Sequence, residues 1–253
     1  MPIDEQEAHQ SQLEFIDFVA HELKQPMTAI QGYAKMLMLG LGGELSETQQ
    51  QFVEVINSNV VRMGKLIDDL LQISRLEAGR IELNLAPVSL REAVAEALAG
   101  NQDDIDARHH TLQVEIPEDL PPALGDRARL VQILANLVSN AVRYTLDGGT
   151  IRITAGRRDD PEMPTSHLLV TVSDTGIGMS PQEMTRLEEK FFRADHDLVR
   201  SMPGTGLGVS IARQLVKLHG GELAVESEVN RGSAFSFSVP VAGEPAIRRG
   251  MQE

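Results

Sequence analysis

The chain has 253 residues, 42% hydrophobic and 24% charged, the balance of a soluble globular protein with room for one large domain or two ordinary ones. With no cysteine it has no disulfides, thiolate zinc sites or cysteine nucleophiles, and a formal charge of -14 opposes duplex nucleic acid or an anionic membrane surface as main partner, since both need a cationic face. No window approaches the roughly 18 apolar residues of a membrane span, and the N-terminus is not basic-then-apolar like a signal peptide, so a soluble, intracellular chain is expected.

From Ile16 the apolar positions run Ile16, Ala20, Leu23, Met27, Ile30, Ala34, Leu37 and Leu41, alternating steps of four and three, which is a heptad seam. The glycines of "GLGGELSETQQ" close that helix, and Ser46 with Gln49 has the spacing of a capping box that opens a second, running to about Arg75. Its apolar residues, Phe52, Ile56, Val60, Met63, Ile67, Leu70, Leu71 and Ile73, cover a wider face than one partner helix can hide. Two such hairpins are therefore expected to associate as a homodimeric four-helix bundle.

After "RLEAGRIELNLAPVSL" strand-like segments appear: "IELNL", "TLQVEI", "TIRITAGR", "HLLVTVSD", "GELAVESE" and "SAFSFSVP". Helical patterns lie between them near 89–107, 127–144 and 206–219, and "RRDDPEMPTS" reads as an exposed hairpin loop. The expected layout is an N-terminal segment (1–12), a helical hairpin (13–78), a mixed sheet with helices on one face (79–242) and a tail (243–253).

Three clusters in the second domain do not fit a plain core. "ILANLVSNAVRYT" sets Asn136 and Asn140 on one face of an apolar helix, "SDTGIGM" ends a strand in Asp174 followed by Gly176 and Gly178, and "PGTGLGVSIARQLV" places Gly204, Gly206 and Gly208 before a helix whose N-terminal N–H groups suit phosphate. Singly, each has a plain reading, as satisfied core amides or ordinary turns. The chain contains neither G-x-G-x-x-G nor G-x-x-x-x-G-K-[ST]. Their order along one domain is what points to a nucleotide.

The combination resembles the sensor histidine kinases of two-component signalling: "HELKQP" is similar to the H box, "NLVSNAVRYT" to the N box, "DTGIGM" to G1, "KFFRAD" to the F box, "GTGLG" to G2 and "RGSAFSFSVP" to the last glycine-containing segment. The resemblance runs from about Phe15 to Pro240 and implies a dimerisation and phosphotransfer hairpin followed by a Bergerat-fold ATP-binding domain, an α/β sandwich. It implies that Asn140 ligates Mg2+ with Asn136 supporting the phosphate end, that Asp174 accepts the adenine amine, and that Gly176 and Gly178 let the backbone pass the base. Tyr144 lies against adenine and Arg143 reaches the phosphates. Met179 to Thr205 forms a lid anchored by Phe191 and Phe192, with Arg193 as a phosphate contact; Gly204, Gly206 and Gly208 let the lid bend, and Leu207 packs beneath it.

His21 follows Ala20 by about 100° of helix rotation, on the shoulder of the seam and open to solvent. Its i+3 and i+4 neighbours are Lys24 and Gln25, which excludes a helical metal pair and leaves a nucleophile. A neutral imidazole attacks the γ-phosphate in line while Glu22 holds the other nitrogen's proton, and Pro26 is expected to kink the helix that presents it. The resemblance then implies ATP-dependent phosphorylation of His21 and transfer to an aspartate of a response regulator docked on the bundle. It also implies a cytoplasmic location, either of the whole protein or of the inner part of a membrane-bound kinase.

Two positions depart from the pattern. Gln25 stands where many relatives have Thr or Asn to orient the water that dephosphorylates the regulator, so altered phosphatase activity is expected; Glu188 replaces the first phenylalanine of the F box, so a looser lid is expected. His9, His109, His110, His167, His196 and His219 read as surface or packing residues. The competing readings are a dimeric docking protein with little kinase activity and a Bergerat-fold ATPase that forms no phosphohistidine.

Overall fold

The structure, a computed structural model, describes residues 3–158, 166–187, 189–202 and 204–243, with residues 3–15 followed along the backbone alone. The loop expected at "RRDDPEMPTS" falls mostly outside the described residues, as do Glu188, the side chain of His9 and the tail from 244. The chain divides into two compact units, Met1–Ile81 and Glu82–Glu253.

The first unit is a hairpin of α1 (Ile3–Met38) and α2 (Glu47–Glu77), so α1 begins well before the first seam residue. Ser46 caps α2 with both bonds of the capping box, accepting from Gln49 N at 3.3 Å while Gln49 Oε1 accepts from Ser46 N at 2.9 Å. Ala20, Met27 and Ala34 from α1 and Val53, Val60 and Ile67 from α2 are buried, each a row of heptad steps. Lys24 pairs with Asp68 at 2.5 Å and Arg75 with Asp17 at 2.8 Å, fixing the antiparallel register. α1 stays helical through Pro26, whose missing N–H leaves the Glu22 carbonyl without its usual i+4 donor. Alternate seam members remain open, with Ile30 45%, Ile56 48% and Met63 47% exposed. An exposed apolar stripe of this kind marks an association surface.

The second unit holds a five-stranded sheet of β2 (Thr111–Glu115), β4 (Thr150–Arg158), β5 (His167–Asp174), β7 (Gly232–Pro240) and β6 (Leu223–Glu228), in that spatial order. The β2–β4 pair is parallel and the others antiparallel. A small ladder joins β1 (Ala86–Val88) to β3 (Ala123–Gly125). The alternation in "IELNL" does not become a strand: β1 starts only where β3 supplies a partner, and the Asn84 N–H goes to the Asp126 carboxylate instead, at 3.1 Å. The helix expected over 89–107 is two, α3 (Leu90–Ala99) and α4 (Gln102–Ala107), broken at Gly100.

Register decides where the site lies. Ile153, Val172 and Phe235 form one cross-strand row, and Ala155, Val170 and Phe237 the next, all buried. They pack beneath α5 (Arg127–Tyr144) and α8 (Gly208–Leu218), whose inner faces carry Leu130, Leu134, Leu137, Ile211 and Leu215, all buried. Burying each such side chain contributes on the order of 1.5–3 kcal/mol. Along β5 the inward positions are Leu168, Val170, Val172 and then Asp174. The period of two thus carries a carboxylate onto the face the helices cover.

Candidate nucleotide site and phosphoacceptor histidine

Asp174 Oδ1 accepts two backbone bonds, from Gly176 N at 2.8 Å and Ser233 N at 3.3 Å. Burial nevertheless outweighs these bonds and pushes its pKa up to about 6 from 3.8. Holding an anion there is costly without a ligand donor, which fits the amine of a base. The turn around it is close-built. Gly178 has φ +62, and a Cβ there would lie 1.9 Å from Glu228 O. Gly176 leaves space that a Cβ would close against Tyr144 O at 2.3 Å. Ser227 Oγ accepts from Met179 N at 2.8 Å and donates to Gly232 O at 3.0 Å, tying the β6–β7 turn to the same loop. Ser233 and Gly232 were not singled out as site residues in the sequence; their role depends on strand pairing, although Gly232 sits in a recognised glycine segment.

Asn136 Nδ2 donates to Gly208 O at 3.2 Å, joining α5 to the first turn of α8. Asn140 lies one turn further along the same face of α5; it is half-buried and its side chain makes no hydrogen bond among the described residues. That uncommitted amide oxygen is a hard donor of the kind Mg2+ takes, and the described residues contain no cluster of His, Asp or Glu able to hold a metal by themselves. The residues therefore fit a metal held chiefly by a triphosphate.

Arg143 Nη2 donates to Ser139 Oγ at 3.2 Å, and Tyr144 O accepts from Ile177 N at 3.1 Å. Both side chains converge with Arg193 on Gly204: a Cβ there would meet Arg143 Nη1 at 3.5 Å, Arg193 Cζ at 3.7 Å and Tyr144 Oη at 3.7 Å. Arg193 is committed to carbonyls of the lid, donating to Gly204 O at 3.4 Å, Met202 O at 2.6 Å and Val199 O, while its Nε is buried without a partner. As found, it staples this segment to its own carbonyls.

The lid contains two short helices absent from the sequence expectation, α6 (Pro181–Arg186) and α7 (Asp197–Ser201). Phe192 lies under the Arg186 guanidinium at 4.6 Å, whereas Phe191 is exposed and has φ 64. Gly206 (φ +72) lets the glycine loop pass Phe191, whose carbonyl carbon would otherwise meet a Cβ at 2.7 Å. Thr205 Oγ1 accepts from Leu207 N at 3.2 Å, and Leu207 is fully buried at the head of α8.

Two further residues hold α5 in place. Arg108 donates to Val142 O at 2.6 Å, Arg143 O at 2.9 Å and Asp147 at 2.9 Å, so it clamps the end of the helix that carries Arg143 and Tyr144. His219, buried at the end of α8, accepts from Asp126 N at 3.0 Å through Nε2 and donates Nδ1–H to Leu215 O at 2.7 Å. Burial holds its pKa below the usual histidine range. As expected it is a packing residue, and so are the buried His110 and His167.

In the first unit His21 is exposed on α1. Its Nε2 lies 3.2 Å from Gln25 Nε2, one turn on. An amide N–H only donates, so the contact is a hydrogen bond in the tautomer that bears its proton on Nδ1, where Nε2 accepts. Glu22 is exposed and forms no hydrogen bond with the ring among the described residues.

Comparisons with known proteins bear on both units. Residues 11–79 match the His Kinase A (phospho-acceptor) domain, and residues 125–243 match the histidine kinase-, DNA gyrase B- and HSP90-like ATPase domain. The chain is 35% identical over 239 residues to the circadian input-output histidine kinase CikA of Synechococcus elongatus, covering 93% of this chain and 31% of that protein. It is 34% identical over 233 residues to the histidine protein kinase DivJ of Caulobacter vibrioides, covering 92% of this chain and 38% of that protein. Among solved structures, full-length ShkA in complex with AMPPNP is similar over 93% of this chain and 47% of that one, with a TM-score of 0.75 and 29% identity. A phosphoacceptor hairpin followed by an ATPase-type sheet domain is the catalytic core of a sensor histidine kinase. The chain belongs to that family, and spans about a third of the length of these curated relatives.

Proposed function

We propose that the protein is an ATP-dependent autokinase that phosphorylates His21 and passes the phosphoryl group to an aspartate of a response-regulator receiver domain. The observation that carries this reading is His21 exposed on a phosphoacceptor-type hairpin, in a chain whose second unit buries the Asp174 carboxylate of an ATPase-type site. Asp174 accepts the adenine amine, with Tyr144 against the base. Arg143 and the N–H groups at the head of α8 receive phosphate oxygens as the Gly204–Gly208 loop closes. Asn140, supported by Asn136, would hold Mg2+, which neutralises triphosphate charge when bound.

In the transfer, the Nε2 lone pair of His21 attacks the γ-phosphorus; the N–P bond forms as the bond to the bridging oxygen breaks, and ADP leaves with the electron pair. The Nδ1 proton remains on the imidazole, and Glu22 turns to hold it. Gln25 must swing off Nε2 first, and is then placed to act on water during dephosphorylation of the regulator. Two hairpins associate through Ile30, Ile56 and Met63 as a homodimer. No helix among the described residues is long and apolar enough to cross a membrane.

Peptide mapping under alkaline conditions after incubation with Mg-ATP tests the assignment: phosphate on His21 alone supports it, and phosphate on a serine or threonine, or hydrolysis of ATP without phosphoprotein, overturns it.

A further inference from the structure

We propose that Ser227 is a positioning residue for nucleotide recognition: its hydroxyl holds the β6–β7 turn so that Asp174 presents its carboxylate to the exocyclic amine of a purine. The inference rests on the adenine role proposed above for Asp174 and deepens it. Strand register puts the two residues in one row. Val225, Phe235 and Val172 lie side by side across β6, β7 and β5, on the face that α5 and α8 cover. Two residues further on, the period of two brings Ser227, Ser233 and Asp174 to that same face. The row turns polar where β5 gives way to the loop of Gly176 and Gly178.

The β5–β7 ladder ends at Ser173 and Ala234, one pair short of this row. Beside Asp174, Ser233 is therefore held from the β6 side, while its own N–H goes to Asp174 Oδ1 at 3.3 Å. Ser227 Oγ donates to Gly232 O at 3.0 Å, accepts from Met179 N at 2.8 Å and lies 2.9 Å from Ser233 Oγ. A hydroxyl has one proton and two lone pairs, so with the Ser227 proton on Gly232 O the contact with Ser233 is a bond that Ser233 donates, and the Ser227 hydroxyl is saturated. One oxygen thus ties the residue after Gly178 to both residues that close the β6–β7 turn. That turn is pressed onto the site: a Cβ at Gly232 would lie 1.9 Å from Asp174 O, and Asn230 N donates to Ile177 O at 2.7 Å. The N–H groups of Gly176 and Ser233 together fix Oδ1, which leaves Oδ2, free of hydrogen bonds among the described residues, to accept from a ligand amine. Ser227→Ala deletes all three contacts of the hydroxyl. Ser233 N then drifts from Oδ1, and the carboxylate loses one of the two bonds that orient it.

The test measures, by isothermal titration calorimetry with Mg2+, the affinity of the full chain for ATP and for purine riboside 5′-triphosphate, which lacks the exocyclic amine. Wild type prefers ATP about thirtyfold, the worth of one hydrogen bond to a charged group. Ser227→Ala binds the amine-free nucleotide as wild type does and binds ATP about tenfold more weakly. Ser227→Thr, which keeps the hydroxyl on a side chain suited to a strand, restores the preference. Equal losses for both nucleotides in Ser227→Ala would make Ser227 a structural staple alone and overturn the inference. An undiminished preference for ATP, or one that Ser227→Thr fails to restore, overturns it too. A wild-type chain that binds the two nucleotides alike overturns the adenine role of Asp174 itself.

Discussion

Replacing Asp174 by Asn should strengthen the fold and severely weaken nucleotide binding. The carboxylate titrates near 6 rather than 3.8. A raised carboxylate pKa means that the folded state favours the protonated acid. Asp174 therefore adds stability as pH falls through 6 towards 4 and withdraws it as pH rises through 6. Two pKa units correspond to about 3 kcal/mol, of which about 2 kcal/mol survives a discount for partial solvation. Asn keeps an oxygen for Gly176 N and Ser233 N, so both backbone bonds remain. For a domain of this size the variant should melt roughly 5 °C above wild type at pH 8, and the gap should close by pH 4. Its NH2 can be turned towards the ligand only as a donor, against an adenine amine that also donates. Affinity for ATP should fall about a hundredfold. Wild-type affinity itself should weaken between pH 7 and pH 5, as stability rises. Calorimetric scanning from pH 4 to 8 and titration with a fluorescent ATP analogue read the two effects. A variant that melts below wild type at pH 8, or binds nucleotide as wild type does, would refute the reasoning.

Other outcomes follow from the same contacts. His219→Ala removes the acceptor of Asp126 N and should cost about 1–3 kcal/mol by urea denaturation at pH 7.5. Because the folded-state pKa of His219 is depressed, its contribution is present above the unfolded value near 6.5 and is lost as pH falls through the folded one, so wild type and variant should converge in acid. Arg108→Ala frees the end of α5 and should weaken ATP binding about tenfold with little change in far-ultraviolet circular dichroism, the Arg143 and Tyr144 positions being loosened rather than removed. Gly178→Ala forces a Cβ to within 1.9 Å of Glu228 O at a positive φ, and nucleotide binding should be lost together with at least ~2 kcal/mol of stability. Gln25→Ala should change dephosphorylation of the regulator; equal rates in both proteins would show that Gln25 takes no part.

The heptad seam and the strand alternation were legible because each reports burial on a face, and burial is what the hairpin and the sheet then enforce. Asp174 could be located for the same reason: it continues the inward positions Leu168, Val170 and Val172. "IELNL" alternates too, yet has no neighbour to pair with, and strand formation depends on a partner that no local pattern contains. α6 and α7, at six and five residues, are too short to display a period. The commitment of Arg193 to the carbonyls of Val199, Met202 and Gly204, and the reach of His219 across to Asp126, are contacts between segments with no sequence signal. At His21 the sequence drew attention to Glu22, and the structure adds Gln25 beside Nε2, a contact between residues one turn apart on a shared helix face.

The central claim is that His21 carries phosphate from ATP. Incubation with Mg-ATP labelled on the γ-phosphate should give protein-bound label that is lost in acid, kept in alkali and absent from His21→Ala, a variant that should still bind nucleotide because the substitution lies in the other unit. Label of the same stability on His21→Ala, or acid-stable label on the wild type, would contradict it.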